Sequence, residues 1–189
     1  MNSIILLGIK HCGKSTQGKL LSRYLNLPFF DTDTVLEELS GCTVRQLYME
    51  QGVEAFKSAE EAACRFIAEK LDGLGSDAVI ATGGGICANL SALAVLRPLG
   101  SFVFLVASEK IAADRIVREA RMEEGRLTNL PAYIAKKNPQ SLDEVRAFFH
   151  EFYVERVKVY ASLADVSIQM GSAPKKVNTR RILALLQRS

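Results

Sequence analysis

Residues 8–15 read Gly-Ile-Lys-His-Cys-Gly-Lys-Ser, GIKHCGKS in one-letter form, and the fold follows from how they are read. Gly8, Gly13, Lys14 and Ser15 fit the pattern GxxxxGK[ST]. Directly before it, Ser3 to Leu7 (SIILL) is an unbroken apolar run of the kind that forms a buried parallel strand. Directly after it, Ser15 to Leu25 sets Leu20, Leu21, Tyr24 and Leu25 at helical spacing. Strand, glycine loop and helix in this order give the pattern its physical meaning. Loop N–H groups turn inward and the helix N-terminus adds partial positive charge, so the loop suits nucleotide phosphates. Lys14 can reach the β- and γ-phosphates, and the Ser15 hydroxyl can sit on Mg2+. His11 and Cys12, inside the loop, are read as contributing backbone only.

Outward from the loop, strands and helices alternate. Strands are expected at Leu27 to Phe30, Asp77 to Ala81, Ser101 to Ala107 and Val166 to Met170. Helices are expected at Asp33 to Leu39, Val44 to Glu50, Val53 to Leu71, Leu90 to Leu96, Ser108 to Arg121, Ser141 to Leu163 and Thr179 to Gln187. In the third of these, Phe56, Ala59, Ala63, Phe66 and Ile67 form one apolar stripe. Ser108 reads as an N-cap, and Ser141 with Glu144 as a capping box. Met122 to Gln140 has no sustained period and reads as a mobile loop or lid with one helical turn. The alternation predicts an α/β domain with a parallel sheet and helices on both faces.

The 189 residues, nearly half of them apolar, suit a single domain spanning 1–189 with a sizeable core. A net charge of +3 is too small for the basic stripe of a nucleic-acid binder. No apolar stretch approaches the roughly 20 residues that span a bilayer, and the N-terminus lacks a cleavage pattern. Cys12, Cys42, Cys64 and Cys87 form no CxxC pair. They are read as reduced core or loop residues of a cytoplasmic protein.

Three features bear on the phosphoryl acceptor. Asp31 and Asp33 stand at the end of the second strand, where sites of open parallel sheets gather. One can orient a water on Mg2+ and the other can help a substrate hydroxyl lose its proton; either could instead cap the next helix. Gly83, Gly84 and Gly85, within TGGGI, carry no Cβ, so a ligand can lie directly on the backbone. Lys57, Arg156 and the series Arg115, Arg118, Arg121 and Arg126 offer the further positive charge that phosphoryl transfer needs.

GIKHCGKST, FDTD, GVEAFKSAEE, TGGG and ERVKVYASLAD, in this order and spacing, resemble the shikimate kinase family along nearly the whole chain. The resemblance implies a three-layer P-loop kinase fold: a five-stranded parallel sheet in the order 2-3-1-4-5, flanked by helices. A substrate-binding helical region would span about 33–62 and a mobile lid about 120–140. It implies ATP- and Mg2+-dependent phosphorylation of the 3-hydroxyl of shikimate, in aromatic amino-acid biosynthesis, by a monomer that binds neither nucleic acid nor membrane. Matched residue by residue, the ATP site is Gly8, Ile9, Lys10, His11, Cys12, Gly13, Lys14, Ser15 and Thr16, with Arg118 against adenine and Arg126 closing from the lid. Ser15 and Asp31 would hold Mg2+. Asp33, Lys57, Gly83, Gly84, Gly85 and Arg156 would bind shikimate, with Asp33 as base and Lys14 and Arg126 catalytic.

The chain departs from the family in three places. Lys57 stands where an arginine clamp is usual, and a lysine gives a point charge in place of a bidentate fork. Arg126 is followed by Leu127 and Thr128 in place of proline and leucine, and the stretch from Arg126 to Arg156 is roughly ten residues longer than expected from the resemblance. The alternatives are a gluconate-like or nucleotide kinase of the same fold, or a nucleotide-binding module without catalysis.

Overall fold

The computed structural model describes residues 2–123, 125–171 and 173–186. Five strands, β1 (Ser3–Leu7), β2 (Phe29–Asp31), β3 (Val79–Ala81), β4 (Gly100–Ala107) and β5 (Val166–Met170), form one parallel sheet in the order 2-3-1-4-5. β1 is buried along its whole length, as its unbroken apolar run requires for a central strand. It pairs with β3 on one side (Ile5 opposite Ile80) and β4 on the other (Leu6 opposite Val103). Gly100 opens β4 where a Cβ would collide with the backbone of Ser3, so only glycine fits. At the outer edge, β5 buries fully only Ile168.

Helices α1 (Lys14–Leu25), α2 (Thr32–Ser40), α3 (Gly52–Leu74), α4 (Leu90–Leu96), α5 (Glu109–Glu119), α6 (Leu142–Leu163) and α7 (Lys175–Leu186) flank the sheet. α7 begins a turn earlier than expected, and Gln187, its anticipated end, lies outside the described residues. Of the residues set at helical spacing, α1 holds Leu21 fully buried and Leu20 half-buried, whereas Tyr24 is 70% exposed and Leu25 also lies outward. Its buried side is Gln17, Gly18 and Leu21. Gly18 lies against the Phe29 ring, where a Cβ would collide. Gln17 accepts a hydrogen bond from Thr179 Oγ1 (2.8 Å) and donates to the Lys175 carbonyl (3.3 Å), which docks α7 on α1. On α3 the buried stripe is Glu60, Ala63, Cys64, Ile67 and Leu71, with Phe56, Ala59 and Phe66 packed at its margin.

Two segments differ from expectation. Val44 to Glu50 is not one α-helix. A three-residue turn (Val44–Gln46), closed by a Thr43/Gln46 capping box, runs into a π-helical turn (Leu47–Gln51). α5 stops at Glu119 because Ala120 turns extended, and Arg121 begins an antiparallel ribbon, Arg121–Glu123 against Arg126–Thr128. Gly125 (φ 76°) lies at its tip. The expected helical turn of the lid follows at Ala132–Ala135, with Leu130 and Ile134 buried, so this half of the segment is packed. Ser108 sits at the N-cap of α5 but its hydroxyl bonds no helix N–H. Ser141 does cap α6, accepting from Glu144 N (3.2 Å), while the Glu144 carboxylate takes the Gln140 N–H. Cys12, Cys64 and Cys87 are buried, Cys42 is half-buried, and all are free thiols. Burial pushes the Cys64 thiol up to about 12.

Candidate active site

One cleft of about 630 Å3 opens along the carboxyl ends of β1, β2 and β3. The GIKHCGKS loop forms one wall. Gly8 (φ 143°) and Gly13 (φ 100°) take backbone conformations that L side chains avoid, and His11 (φ 67°) does so as well. The Lys14 ammonium folds back onto the loop, donating to the Gly8 carbonyl (2.7 Å) and the Ile9 carbonyl (3.0 Å). Its charge therefore sits in the loop's centre, almost entirely screened from water by protein. His11 is more than a backbone position: its carbonyl accepts from Arg115 and its Nε2 lies 3.4 Å from Glu119 on α5. Burial holds its pKa below the ordinary histidine value, against the pull of Glu119.

Opposite the loop stands the carboxylate pair. The Ser15 hydroxyl donates to Asp31 Oδ2 (2.6 Å), while Asp31 Oδ1 accepts the Asp33 N–H (3.2 Å). Asp31 thus caps α2, the second of the readings its position offered, and also meets Ser15. Asp33 lies beside Gly83, where a Cβ would come within 2.7 Å of its Oδ1. Burial, then the Asp31 charge, raises the Asp33 pKa above the usual carboxylate range.

The triple glycine forms the floor. Its N–H and carbonyl groups are fixed from several sides: Gly83 N donates to the buried Thr32 hydroxyl (2.9 Å), Tyr160 donates to the Gly84 carbonyl (2.9 Å), and Arg156 donates to the Gly85 carbonyl (2.9 Å). Arg156 and Tyr160 are one helical turn apart, so α6 delivers both to the same floor. Arg156 also meets Cys87 Sγ (3.1 Å) and lies over the Phe152 ring, 4.5 Å from its centroid. Gly84 approaches the loop so closely that a Cβ would stand 2.8 Å from Lys10 N. Loop and floor are in contact.

Of the residues anticipated from sequence, Lys10, His11, Gly13, Lys14, Ser15, Thr16, Asp31, Asp33, Lys57, Gly83, Gly84, Gly85 and Arg156 line the cleft. Gly8, Ile9 and Cys12 are buried behind it. Lys57 pairs with Glu54 at 3.4 Å. Arg118 and Arg126 are exposed and do not line the cleft. Among the arginines expected near the lid, Arg115 is the one that reaches the loop.

Several lining residues were not anticipated: Arg45, Tyr48, Glu60, Asn89, Tyr133 and Phe152. Glu60 is 1% exposed, and burial pushes its carboxyl up to about 7. Asn89 donates to Glu60 Oε2 (3.0 Å) and to the Lys57 carbonyl (2.8 Å), whereas Glu60 Oε1 has no hydrogen-bond partner. A spacing signal existed: Glu60 follows Lys57 by three residues and Phe56 by four, on one face of α3. The pair Phe152 and Arg156 carries the same signal on α6.

Known proteins resemble this chain over most of its length. A family model described as shikimate kinase matches residues 10–187. A shikimate kinase of Syntrophus aciditrophicus (strain SB) is 35% identical over 164 residues, covering 86% of this chain and 80% of that protein. The crystal structure of shikimate kinase from Aquifex aeolicus matches with a TM-score of 0.69 and 28% identity, covering 98% of this chain and 96% of the other. A shikimate kinase from Acinetobacter baumannii in complex with shikimate has the same fold (TM-score 0.77, 21% identity), covering 100% of this chain and 94% of that one.

Proposed function

This chain belongs to the shikimate kinase family, and from that membership we propose that it transfers the γ-phosphoryl group of ATP to the 3-hydroxyl of shikimate. One observation carries the reading: a phosphate-binding loop and an Asp33–triple glycine–Arg156 floor line a single cleft.

The loop amides and Lys14 hold the nucleotide phosphates, Lys14 leaving its two carbonyl acceptors to do so. Ser15 Oγ and Asp31 Oδ2 offer two hard oxygen donors 2.6 Å apart, which suits Mg2+, an ion that keeps several waters and shares phosphate oxygens. Bound there, Mg2+ supplies charge neutralisation on the phosphates. Asp33, with its raised pKa, accepts the proton of the attacking hydroxyl. Arg156 pairs with the shikimate carboxylate and Lys57 adds a second positive charge. The glycine floor lets the ring lie against backbone. In this reading Arg126 swings in from the exposed ribbon when the cleft closes and water is excluded, and Arg118 flanks the adenine. The whole chain acts as one domain, a cytoplasmic monomer whose partners are ATP and shikimate. Among the described residues no helix is long and apolar enough to cross a membrane.

A coupled assay with ATP and Mg2+ against shikimate, gluconate and nucleoside monophosphates tests the proposal. Turnover of shikimate well above the others is expected; preference for another acceptor would overturn it. Arg126→Ala should lower kcat more than it weakens shikimate binding, and wild-type turnover would remove Arg126 from the lid role.

A further inference from the structure

The segment between the exposed ribbon and α6 is a roof over one end of the cleft. Leu130 and Ile134 anchor it in the core. On one side the Tyr133 ring stacks on Phe152 of α6, with centroids 3.6 Å apart and planes 9° off parallel. On the other, the Lys136 ammonium lies 4.2 Å from the centroid of Tyr48, which itself meets Phe56 edge-on. The segment therefore bridges from α6 to the helical region that forms the opposite wall.

The roof carries one unused polar group. The Tyr133 hydroxyl is buried and has no hydrogen-bond partner, although Tyr133 lines the cleft. A buried phenol without an acceptor costs free energy in the empty protein. Its stacking partner Phe152 also bears the Arg156 guanidinium. Burial raises the pKa of the phenol and outweighs the opposing Arg156 charge, so the hydroxyl stays protonated and is a donor. Along the glycine floor, carboxyl groups and donors are segregated. Asp33 and Glu60 crowd Gly83, whereas Arg156 is tied to Gly85 and Cys87. Tyr133 belongs to the donor end.

We propose that the Tyr133 hydroxyl donates a hydrogen bond to the carboxylate of the substrate, beside Arg156. The inference rests on the shikimate reading and extends it. The donor comes from the packed segment between the ribbon and α6, and it supplements a clamp in which Lys57 gives only a point charge. A neutral phenol adds direction to an anion site without adding charge.

Tyr133→Phe removes only the oxygen and keeps the stack on Phe152, so folding is preserved. With shikimate, KM should rise about tenfold, the loss expected for one hydrogen bond to a charged group. The KM for ATP and kcat should stay unchanged. The second arm is competitive inhibition by the shikimate analogue whose carboxylate is reduced to a hydroxymethyl group. Its inhibition constant should be nearly the same for wild type and variant. An unchanged shikimate KM in Tyr133→Phe overturns the proposal. An equal penalty on the reduced analogue overturns the carboxylate assignment. Failure of the wild-type enzyme to phosphorylate shikimate at all would overturn the proposed function and this inference together, and is distinguishable from both.

Discussion

Replacing Glu60 by Gln should make the protein more stable, and increasingly so as pH rises. Glu60 is sealed beneath Gly83 with one oxygen unpartnered, and its carboxyl is pushed from 4.5 up to about 7. The sign follows from which state holds the proton. Below 4.5 the carboxyl is protonated in both folded and unfolded chains and costs nothing differential. Between 4.5 and about 7 the unfolded chain ionises while the folded one does not, so stability falls as pH rises; above about 7 the loss is complete. The gap of about 2.5 between 4.5 and about 7, at about 1.4 kcal/mol per pH unit, makes the full loss about 3 kcal/mol. Roughly three quarters of it develops between pH 5 and pH 8. Urea denaturation of wild type and Glu60→Gln at those two pH values isolates it, because most other titrating groups cancel in the difference. The variant's stability relative to wild type should improve by about 2–3 kcal/mol between pH 5 and pH 8, whatever its offset at pH 5. Parallel curves for the two proteins would show that Glu60 titrates normally and that burial does not govern it.

Asp33→Asn should cut kcat by about 10²–10⁴-fold with little loss of fold, as for removal of a general base; thermal melts beside turnover check both. In the wild type kcat/KM should fall as pH drops through the Asp33 pKa, at a pH above the ordinary carboxylate value of 3.8, since burial and Asp31 raise it. A pH–rate profile with no such limb refutes its role as base. Gly84→Ala places a methyl 2.8 Å from the Lys10 amide nitrogen, so the loop must move; both substrate KM values should rise, and wild-type kinetics would show that loop and floor are not in register. Lys57→Arg should lower the shikimate KM by restoring a forked donor, and no improvement in steady-state assays counts against a carboxylate role for this position.

The segments most legible in sequence were those whose meaning is local. SIILL, the glycine loop and the following helix fall where read, as do Leu90 to Leu96 and Val166 to Met170. Backbone conformation over a few residues is set by those residues themselves: glycines that accept positive φ, apolar runs that must be covered on both faces, a serine that caps. The antiparallel pairing of Arg121–Glu123 with Arg126–Thr128 was missed because its strands are three residues long, one exposed and the other only partly buried, too short to show a period of two. Tyr24 and Leu25 face outward although they share helical spacing with the buried Leu21, because α7, far along the chain, docks on α1 at Gln17.

The sequence by itself determined the strand–loop–helix that cradles phosphate, the order of the parallel sheet through its resemblance to a family, and the residue types along the cleft. Only the tertiary structure decided that Glu60 is buried and lacks one partner, that Cys87 and Phe152 hold Arg156, that Arg115 grips the loop at His11, and that Tyr133 closes the roof with an idle hydroxyl. Each depends on two segments far apart in the chain meeting at one point. Burial, desolvation and stacking belong to that meeting and are written in neither segment alone.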